Sequence, residues 1–424
     1  MKQVSSFTPS ADKPAITIIG AGVIGVVTAR TLQQQGYSVT LIDKDDPAEA
    51  CSSGNAGILA AYGVVPLSLP GILKKAPGML LNPSGPLSIR RQYLLRIMPW
   101  LWQFWRASQP ERVEHIASAL SPLLRHTVRD YQQLTRDTSA QPLIVSSPVL
   151  CAYKDEAAYL NDKMVWDLRA KHGVTWHTLS GSAVQEMEPA LTKDCQFAAV
   201  FENCGYTLNP KRLVKSLFED FMHEGGSFIR SAVQHIRPVN ASEIRLQLAN
   251  NESYKASRLI VACGAWSGQF TKALGEPVPL EQERGYHLTL SNFDGTAPRY
   301  PIMSPSHKVI ATPMETGLRI AGMVEFGGFL PPDPSRATAL HQHLRSLFPH
   351  ISAGTPSSWM GHRPSLPDSL PVIGASKKHA SVFYAFGHQH VGLSSAPMTA
   401  RVMSELIANQ PTSIDITPFR VDRF

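Results

Sequence analysis

The first apolar run of the chain, Ala15-Ile-Thr-Ile-Ile19, is short, β-branched and stopped by Gly20. A run with so few polar interruptions predicts a strand buried on both faces, as in a parallel sheet. From Val23 to Gln35 the apolar positions recur with helical spacing and Gly36 closes the element; Tyr37 to Ile42 then reads as a second strand finishing at Asp43. From about residue 65 to 200 this glycine-and-strand pattern lapses. Asn209 to Gly225 reads as an amphipathic helix entered through Pro210 and closed by Gly225-Gly226, followed by a strand carrying Val233. Arg258-Leu-Ile-Val-Ala-Cys-Gly264 is another strand ending in a glycine turn, and between Glu283 and Glu325 the segments Leu288-Thr-Leu290 and Leu318-Arg-Ile320 alternate as antiparallel strands do. The chain shows no internal repeat and no low-complexity tract.

Composition narrows the class. With 424 residues, 43% of them apolar, the chain can bury a large core and form two or three domains. The net charge of +7 is spread without runs of Lys or Arg, which excludes a nucleic-acid patch and leaves a mildly basic surface suited to anionic partners. The five cysteines (Cys51, Cys151, Cys195, Cys204, Cys263) are widely spaced and form no C-x-x-C pair, so reduced thiols in a cytosolic protein are expected. The first fifteen residues are polar, contain Asp12 and two prolines, and do not resemble a secretory signal. No stretch of about eighteen uninterrupted apolar residues occurs, so no spanning helix is expected.

Candidate chemistry begins where the first strand ends. Gly20-Ala-Gly22-Val-Ile-Gly25 assigns a separate task to each glycine: a tight turn, a close approach of backbone to a pyrophosphate, and close helix–strand packing. Asp43 follows at the end of the second strand, where a carboxylate accepts from ribose hydroxyls. In this strand–turn–helix–strand–acid setting the motif predicts a dinucleotide site. Cys51-Ser-Ser-Gly54-Asn55-Ala-Gly57 is rich in backbone donors for a second pass along a phosphate or flavin edge, its plain alternative being an ordinary polar loop.

These motifs, with Ala262-Cys-Gly-Ala-Trp266-Ser, Gly361-His-Arg363-Pro364-Ser-Leu-Pro-Asp368-Ser-Leu-Pro371-Val-Ile-Gly374 and Phe386-Gly-His388-Gln-His390-Val-Gly-Leu393, resemble the D-amino acid oxidase superfamily of flavoproteins. The resemblance is to its bacterial D-amino acid dehydrogenase branch, which includes hydroxyproline dehydrogenases, and runs from near residue 16 to about 407. Two positions depart from it: Asp43 stands where Glu is usual, and Gln389 where the branch often has Gly. The resemblance implies an α/β chain, α+β overall, with a Rossmann-like FAD-binding domain and an inserted mixed or antiparallel-sheet substrate domain. Residues 15–64, 200–275 and 355–410 would form the first, and 65–199 with 276–354 the second, including a lid from about 65 to 110. FAD would bind non-covalently to Gly20, Gly22, Val23, Ile24, Gly25, Asp43, Lys44, Ser52, Ser53, Asn55, Ala56, Gly57, Val233, Gly264, Trp266, Gly387, Gly392 and Leu393. The substrate would be a small D-amino acid or a D-proline- or hydroxyproline-like imino acid, with a glycine- or sarcosine-type oxidase as the alternative.

Hydride removal from Cα needs little acid–base help once the amine is neutral, so the site should orient substrate and be poor in catalytic acids. Arg363, stiffened by Pro364, is expected to fork onto the substrate carboxylate, the alternative being a structural ion pair with Asp368; Arg319 and Arg284 are the next candidates. Tyr286, in Glu283-Arg-Gly-Tyr-His287, would hydrogen-bond or cover the substrate, or be a half-buried sheet tyrosine. His388 and His390 would flank the turn before a helix starting near Ser394-Ser395-Ala-Pro397, capped by the serines and aiming its dipole at the flavin. No metal is expected: the H-x-H pair 388/390 lacks a third ligand nearby, and the pair 341/343 sits in a predicted polar helix where the two side chains diverge. Residues 83–108 interleave Arg90, Arg91, Arg96 and Arg106 with aromatics and predict either a peripheral membrane contact, bringing a quinone acceptor near, or a lid helix with its apolar face buried. Two rivals remain open: a nicotinamide-dependent dehydrogenase, which the C-terminal blocks oppose, and a non-catalytic flavin-binding protein.

Overall fold

The computed structural model describes residues 13–72, 78, 80 and 85–424. The reading of the first twelve residues, parts of the expected lid (73–77, 79, 81–84) and the start of the 83–108 segment lie outside the described residues.

Ile16–Ile19 is the centre of a six-stranded sheet in the order Ser227–Arg230, Val39–Asp43, Ile16–Ile19, Arg258–Val261, Val382–Phe386, Val372–Ala375. All neighbours are parallel except the last pair. Both faces of the central strand are covered, which is why its sequence is apolar throughout. Ile16 and Ile18 pack with helices Val23–Gln34, Pro210–His223 and Gly392–Ile407, while Ile19 packs with the antiparallel sheet Val233–Asn240, Glu243–Leu248, Ser253–Ala256. The second strand begins at Val39, two residues later than expected, and the 210–223 helix is capped as expected by the Asn209 side chain, which accepts from the Arg212 amide.

A second, nine-stranded sheet runs Ser352–Ser365, Glu281–Asp294, Gly317–Phe326, Val309–Met314, Ile302–Ser304, Val149–Tyr153, Phe197–Phe201, His177–Ser180, with Leu87–Ile89 also paired to Gly317–Phe326. It is mixed, because 302–304 runs parallel to 149–153 and 87–89 parallel to 317–326. Along Glu281–Asp294 the period of two sends Tyr286, Leu288 and Leu290 into a core with helix Pro334–Leu347. The expected segment edges at 200 and 355 fall inside strands Phe197–Phe201 and Ser352–Ser365, both of which belong to this larger sheet.

The helix after the 388–390 turn corrects one expectation. It spans Gly392–Ile407, its N-cap position is Val391, and no side chain caps it. Ser394 instead donates to the Ile58 carbonyl and accepts from the Ala60 amide, and Ser395 donates back to the Val391 carbonyl. Long-range tethering has taken the Ser394 hydroxyl that capping would have used, and a local bond back to the preceding turn has taken that of Ser395.

The turn from strand to helix has no room for a side chain at its third glycine. A Cβ at Gly25 would stand 1.8 Å from the Gly20 carbonyl oxygen, a backbone atom that cannot swing aside. Gly25→Ala should therefore cost on the order of 2–3 kcal/mol, read as a lower thermal midpoint and weakened cofactor retention; an unchanged midpoint would mean that the turn relaxes freely.

Candidate active site

At the carboxyl ends of the central parallel strands, facing the second sheet, lies a cavity of about 1100 Å³. Its lining draws on all five motif blocks. Of the residues expected there, Gly20, Gly22, Val23, Ile24, Asp43, Lys44, Ser52, Asn55, Ala56, Gly57, Val233, Gly264, Trp266, Gly387, Gly392, Leu393, Arg363, Tyr286, His388 and His390 line it. Gly25 and Ser53 do not: Gly25 packs beneath the turn, and the Ser53 hydroxyl donates back to the Ala50 carbonyl.

Gly20 has φ +111°, and a Cβ there would meet the Ala262 carbonyl at 2.4 Å, so the turn can form only without a side chain. At the start of the following helix the Val23 amide donates to Ser52 Oγ at 2.8 Å, which leaves the serine hydrogen at the positive end of the helix. Asp43 accepts from the Ala21 amide at 2.6 Å and the Asp45 amide at 3.1 Å; burial holds its carboxyl above the usual value. Lys44 lies over the Trp266 ring at 5.3 Å. The 51–57 loop is tied inward by Asn55, which accepts from the Gly57 amide and donates to the Ser52 carbonyl, and outward by Arg319, which donates to the Asn55 carbonyl at 2.9 Å. That contact commits Arg319 to structure, and burial lowers its pKa to about 10.

The other end of the cavity is built on the second sheet. Arg363 and Glu283 are direct cross-strand partners, and Arg363 Nη1 donates to Glu283 Oε1 at 2.7 Å and to the Met323 carbonyl at 3.0 Å. The ion pair foreseen with Asp368 does not form, since Asp368 pairs with Arg423 at 2.7 Å. Ser365 holds the second oxygen of Glu283, which is 2% exposed. The guanidinium lies flat over Gly285, whose Cβ would meet it at 2.3 Å. Tyr286 does not offer its hydroxyl to the cavity: it donates to the buried carboxylate of Glu325, which pushes the phenol up to about 12 together with burial, the larger cause. Arg90 and Arg284 share Glu325, and Arg284, fully buried, also donates to the carbonyls of Gly327, Gly328, Leu330 and Pro331. Arg284 is thus a staple for that loop and not a free anion site.

His388 donates to or accepts from Thr399 Oγ1 at 3.1 Å, and burial pushes it down to about 3. His390 opens onto the cavity within a wall of protein; that desolvation pushes it down to about 4, Glu283 opposing and Arg363 reinforcing the shift. Both imidazoles are neutral at ordinary pH. Glu283, Trp359, His362 and Arg169, none of them expected in the site from the sequence, also line the cavity. The period of two in strand 352–365 could have found Trp359, two residues before Gly361 and four before Arg363; its indole fills the space left by Gly54 and Gly361. No cluster of three or more His, Cys, Asp or Glu able to hold a metal occurs among the described residues.

Residues 15–406 match the family described as DAO, FAD dependent oxidoreductase. The chain belongs to this family. It is 36% identical to D-amino-acid oxidase of Bradyrhizobium diazoefficiens over 417 residues, covering 96% of this chain and 98% of the relative. It is 27% identical to D-amino acid dehydrogenase 2 of Ralstonia nicotianae, covering 96% of this chain and 100% of that one. Glycine oxidase from Geobacillus kaustophilus superposes with a TM-score of 0.72 at 19% identity, over 97% of this chain and 99% of the other. L-proline dehydrogenase from P. horikoshii gives 0.72 at 16% identity, over 98% of each chain. These two likenesses carry the fold alone. As a DAO-family enzyme the chain is FAD-dependent, and the cavity fits that cofactor: the glycine cradle at 20 and 22, the helix N-terminus beside Ser52 and the carboxylate of Asp43 succeed one another along one wall.

Buried His388 gives this DAO-family protein a defined acid response. In the unfolded chain an imidazole binds its proton near pH 6.5, whereas His388 stays neutral to about 3 in the fold. Between pH 6.5 and about 3 the unfolded state binds more protons, so stability falls as pH falls. The thermal midpoint should drop over that window, and His388→Gln should flatten the drop; a slope unaffected by the substitution would assign the effect to other groups.

Proposed function

We propose that the enzyme oxidises the Cα–N bond of a small amino or imino acid, a D-amino acid or a D-proline- or hydroxyproline-like compound, and passes the electrons to a quinone-type acceptor. The observation that carries this reading is Arg363: it lines the cavity, is braced on one side by Glu283 and two carbonyls of strand 317–326, and keeps other donors for a planar carboxylate. The other candidates, Arg284 and Arg319, are committed to backbone carbonyls. FAD, when bound, supplies the acceptor for the hydride leaving Cα. The chain's own part is to fix the carboxylate, to present neutral His388 and His390 beside it, and to exclude water between two sheets. The division into a cofactor unit (15–64, 200–275, 355–410) and a substrate unit (65–199, 276–354) belongs to the same reading.

The cofactor is taken to be non-covalent because the three cavity cysteines are poor nucleophiles. Burial pushes Cys51 up to about 12, Cys151 up to about 11 and Cys263 well above its ordinary value, so all remain thiols. A peroxide-forming oxidase is the second reading, favoured by the name of the Bradyrhizobium relative.

The acceptor and location rest on helix Leu94–Ala107. Ile97 and Trp100 are buried against Tyr93 and Phe326, as a lid helix requires. The opposite stripe is bare: Leu95 is 88% exposed, Trp102 55%, Met98 52% and Trp105 42%. Arg106 stacks on Trp102 at 4.9 Å, so cationic and aromatic groups share the surface, as at a membrane interface. No helix among the described residues is long and apolar enough to cross a membrane. This stripe supports a peripheral attachment, on the cytoplasmic side, where quinone is near.

Arg363→Leu should leave FAD bound, released intact by acid, while lowering kcat/KM by about 30-fold or more, the value of a desolvated charge-assisted contact; wild-type kinetics in that variant would move the carboxylate elsewhere. Turnover should be fast with quinone or dye and slow with oxygen, and peroxide formed as fast as dye is reduced would make the protein an oxidase. Changing Trp102 and Trp105 together to serine should lower recovery with sedimented lipid vesicles while anaerobic flavin bleaching persists; loss of bleaching would make the helix part of the substrate lid.

A further inference from the structure

The cavity extends from Arg363 to a wall formed by helix Lys163–Lys171 and strand Val149–Tyr153. Arg169 stands in that wall, 8% exposed. Its guanidinium lies over the rings of Trp166, Phe201 and Tyr62 at 4.6, 5.2 and 5.8 Å, and makes no hydrogen bond or ion pair among the described residues. The buried Nε has no acceptor. Asp162, the carboxylate on the same wall, instead accepts from the Tyr153 hydroxyl at 3.1 Å. The neighbouring Cys151, Cys204 and Tyr62 are kept protonated by burial and supply no anion. Lys308, at φ +56° in a tight turn, adds a second cation to the lining.

Every other deeply buried arginine around the cavity is neutralised or tied to carbonyls: Arg284 to Glu325 and a loop, Arg319 to the 51–57 loop. Cation–π contact offsets part of the desolvation of Arg169, but it leaves the buried Nε–H unsatisfied. We propose that Arg169 is a second anion-binding group of the substrate cavity, and that the preferred substrates carry an acidic group at the far end of their side chain. This inference rests on the amino acid oxidation proposed above.

The sheet supplies a length for that side chain. Ala321, Ile310, Met303 and Cys151 are successive cross-strand partners, and all four line the cavity. Arg363 donates to the carbonyls beside Ala321, and Arg169 acts electrostatically on Cys151. Three strand spacings of about 4.8 Å separate Ala321 from Cys151, roughly 14 Å, and set the scale of the distance between the two cations. A bidentate guanidinium–carboxylate contact occupies about 4 Å at each end, which leaves about 6 Å between the two carboxyl carbons. That is the span of an extended five- or six-carbon dicarboxylic amino acid. The floor between the ends, Met303 and Ile310, is apolar and suits its methylene chain.

The test is anaerobic flavin bleaching of the holoenzyme with each enantiomer of glutamate and 2-aminoadipate, against glutamine and norvaline as uncharged controls. For the reactive enantiomer the dicarboxylic compounds should be more efficient than glutamine by about 30-fold, the value of one desolvated charge-assisted contact. Arg169→Met should collapse that ratio and Arg169→Lys should restore part of it. Should either variant fail to retain FAD, the wild-type ratio alone decides. Glutamine or norvaline matching the dicarboxylic substrates in the wild type would overturn the inference and leave amino acid oxidation standing. Bleaching by none of the amino acids would remove the oxidation itself.

Discussion

The architecture depends on how closely backbone can approach backbone where strand Ile16–Ile19 turns into helix Val23–Gln34. A Cβ on Gly20 would stand only 2.4 Å from the Ala262 carbonyl oxygen, and Gly25 closes the turn from below. Because no side chains separate these segments, the first, second and fourth strands of the parallel sheet bring their carboxyl ends to one line. The cavity is the opening of that line. Ser52 and Asp43 then reach the turn from two other segments and fix its amides at Val23 and Ala21.

The charge arrangement around the cavity separates scaffold from site. Glu325 gathers Arg90, Arg284 and Tyr286 into a buried network that holds residues 327–331 to the sheet. Glu283, one position before Arg284 on strand Glu281–Asp294, gathers Arg363 and Ser365 on the cavity side. One step along that strand therefore separates the side chains that build the fold from those that face a ligand, because successive positions look in opposite directions.

The motif-bearing turns were legible in the sequence because glycine spacing reports backbone geometry directly, and 20–25, 54–57 and 387–392 all reach the cavity. What stayed hidden was pairing. For Arg363 the sequence suggested Asp368 as an ion-pair partner, and only the strand register sets it opposite Glu283 instead. Tyr286 looked like a ligand group by its place next to Arg-Gly, yet its ring points to the helix-side core, a matter of strand phase that a single bulge between Arg284 and Tyr286 can alter. Arg169 carried no local mark at all, since its surroundings are assembled from residues 62, 166 and 201.

The discontinuous origin of the parallel sheet has a consequence for biogenesis. Its central strand is made first, but the strand Val382–Phe386 and the helix Gly392–Ile407 that packs on Val23–Gln34 come about 370 residues later. At a ribosomal rate of roughly 5–20 residues per second, the first strand waits on the order of 20–70 s before its sheet can be completed. Val39–Asp43 can cover one edge of the first strand early and Arg258–Val261 the other, but the helix that buries one face of the sheet and the 385–394 wall of the cavity come only at the end, which ties cofactor loading to the completion of the chain.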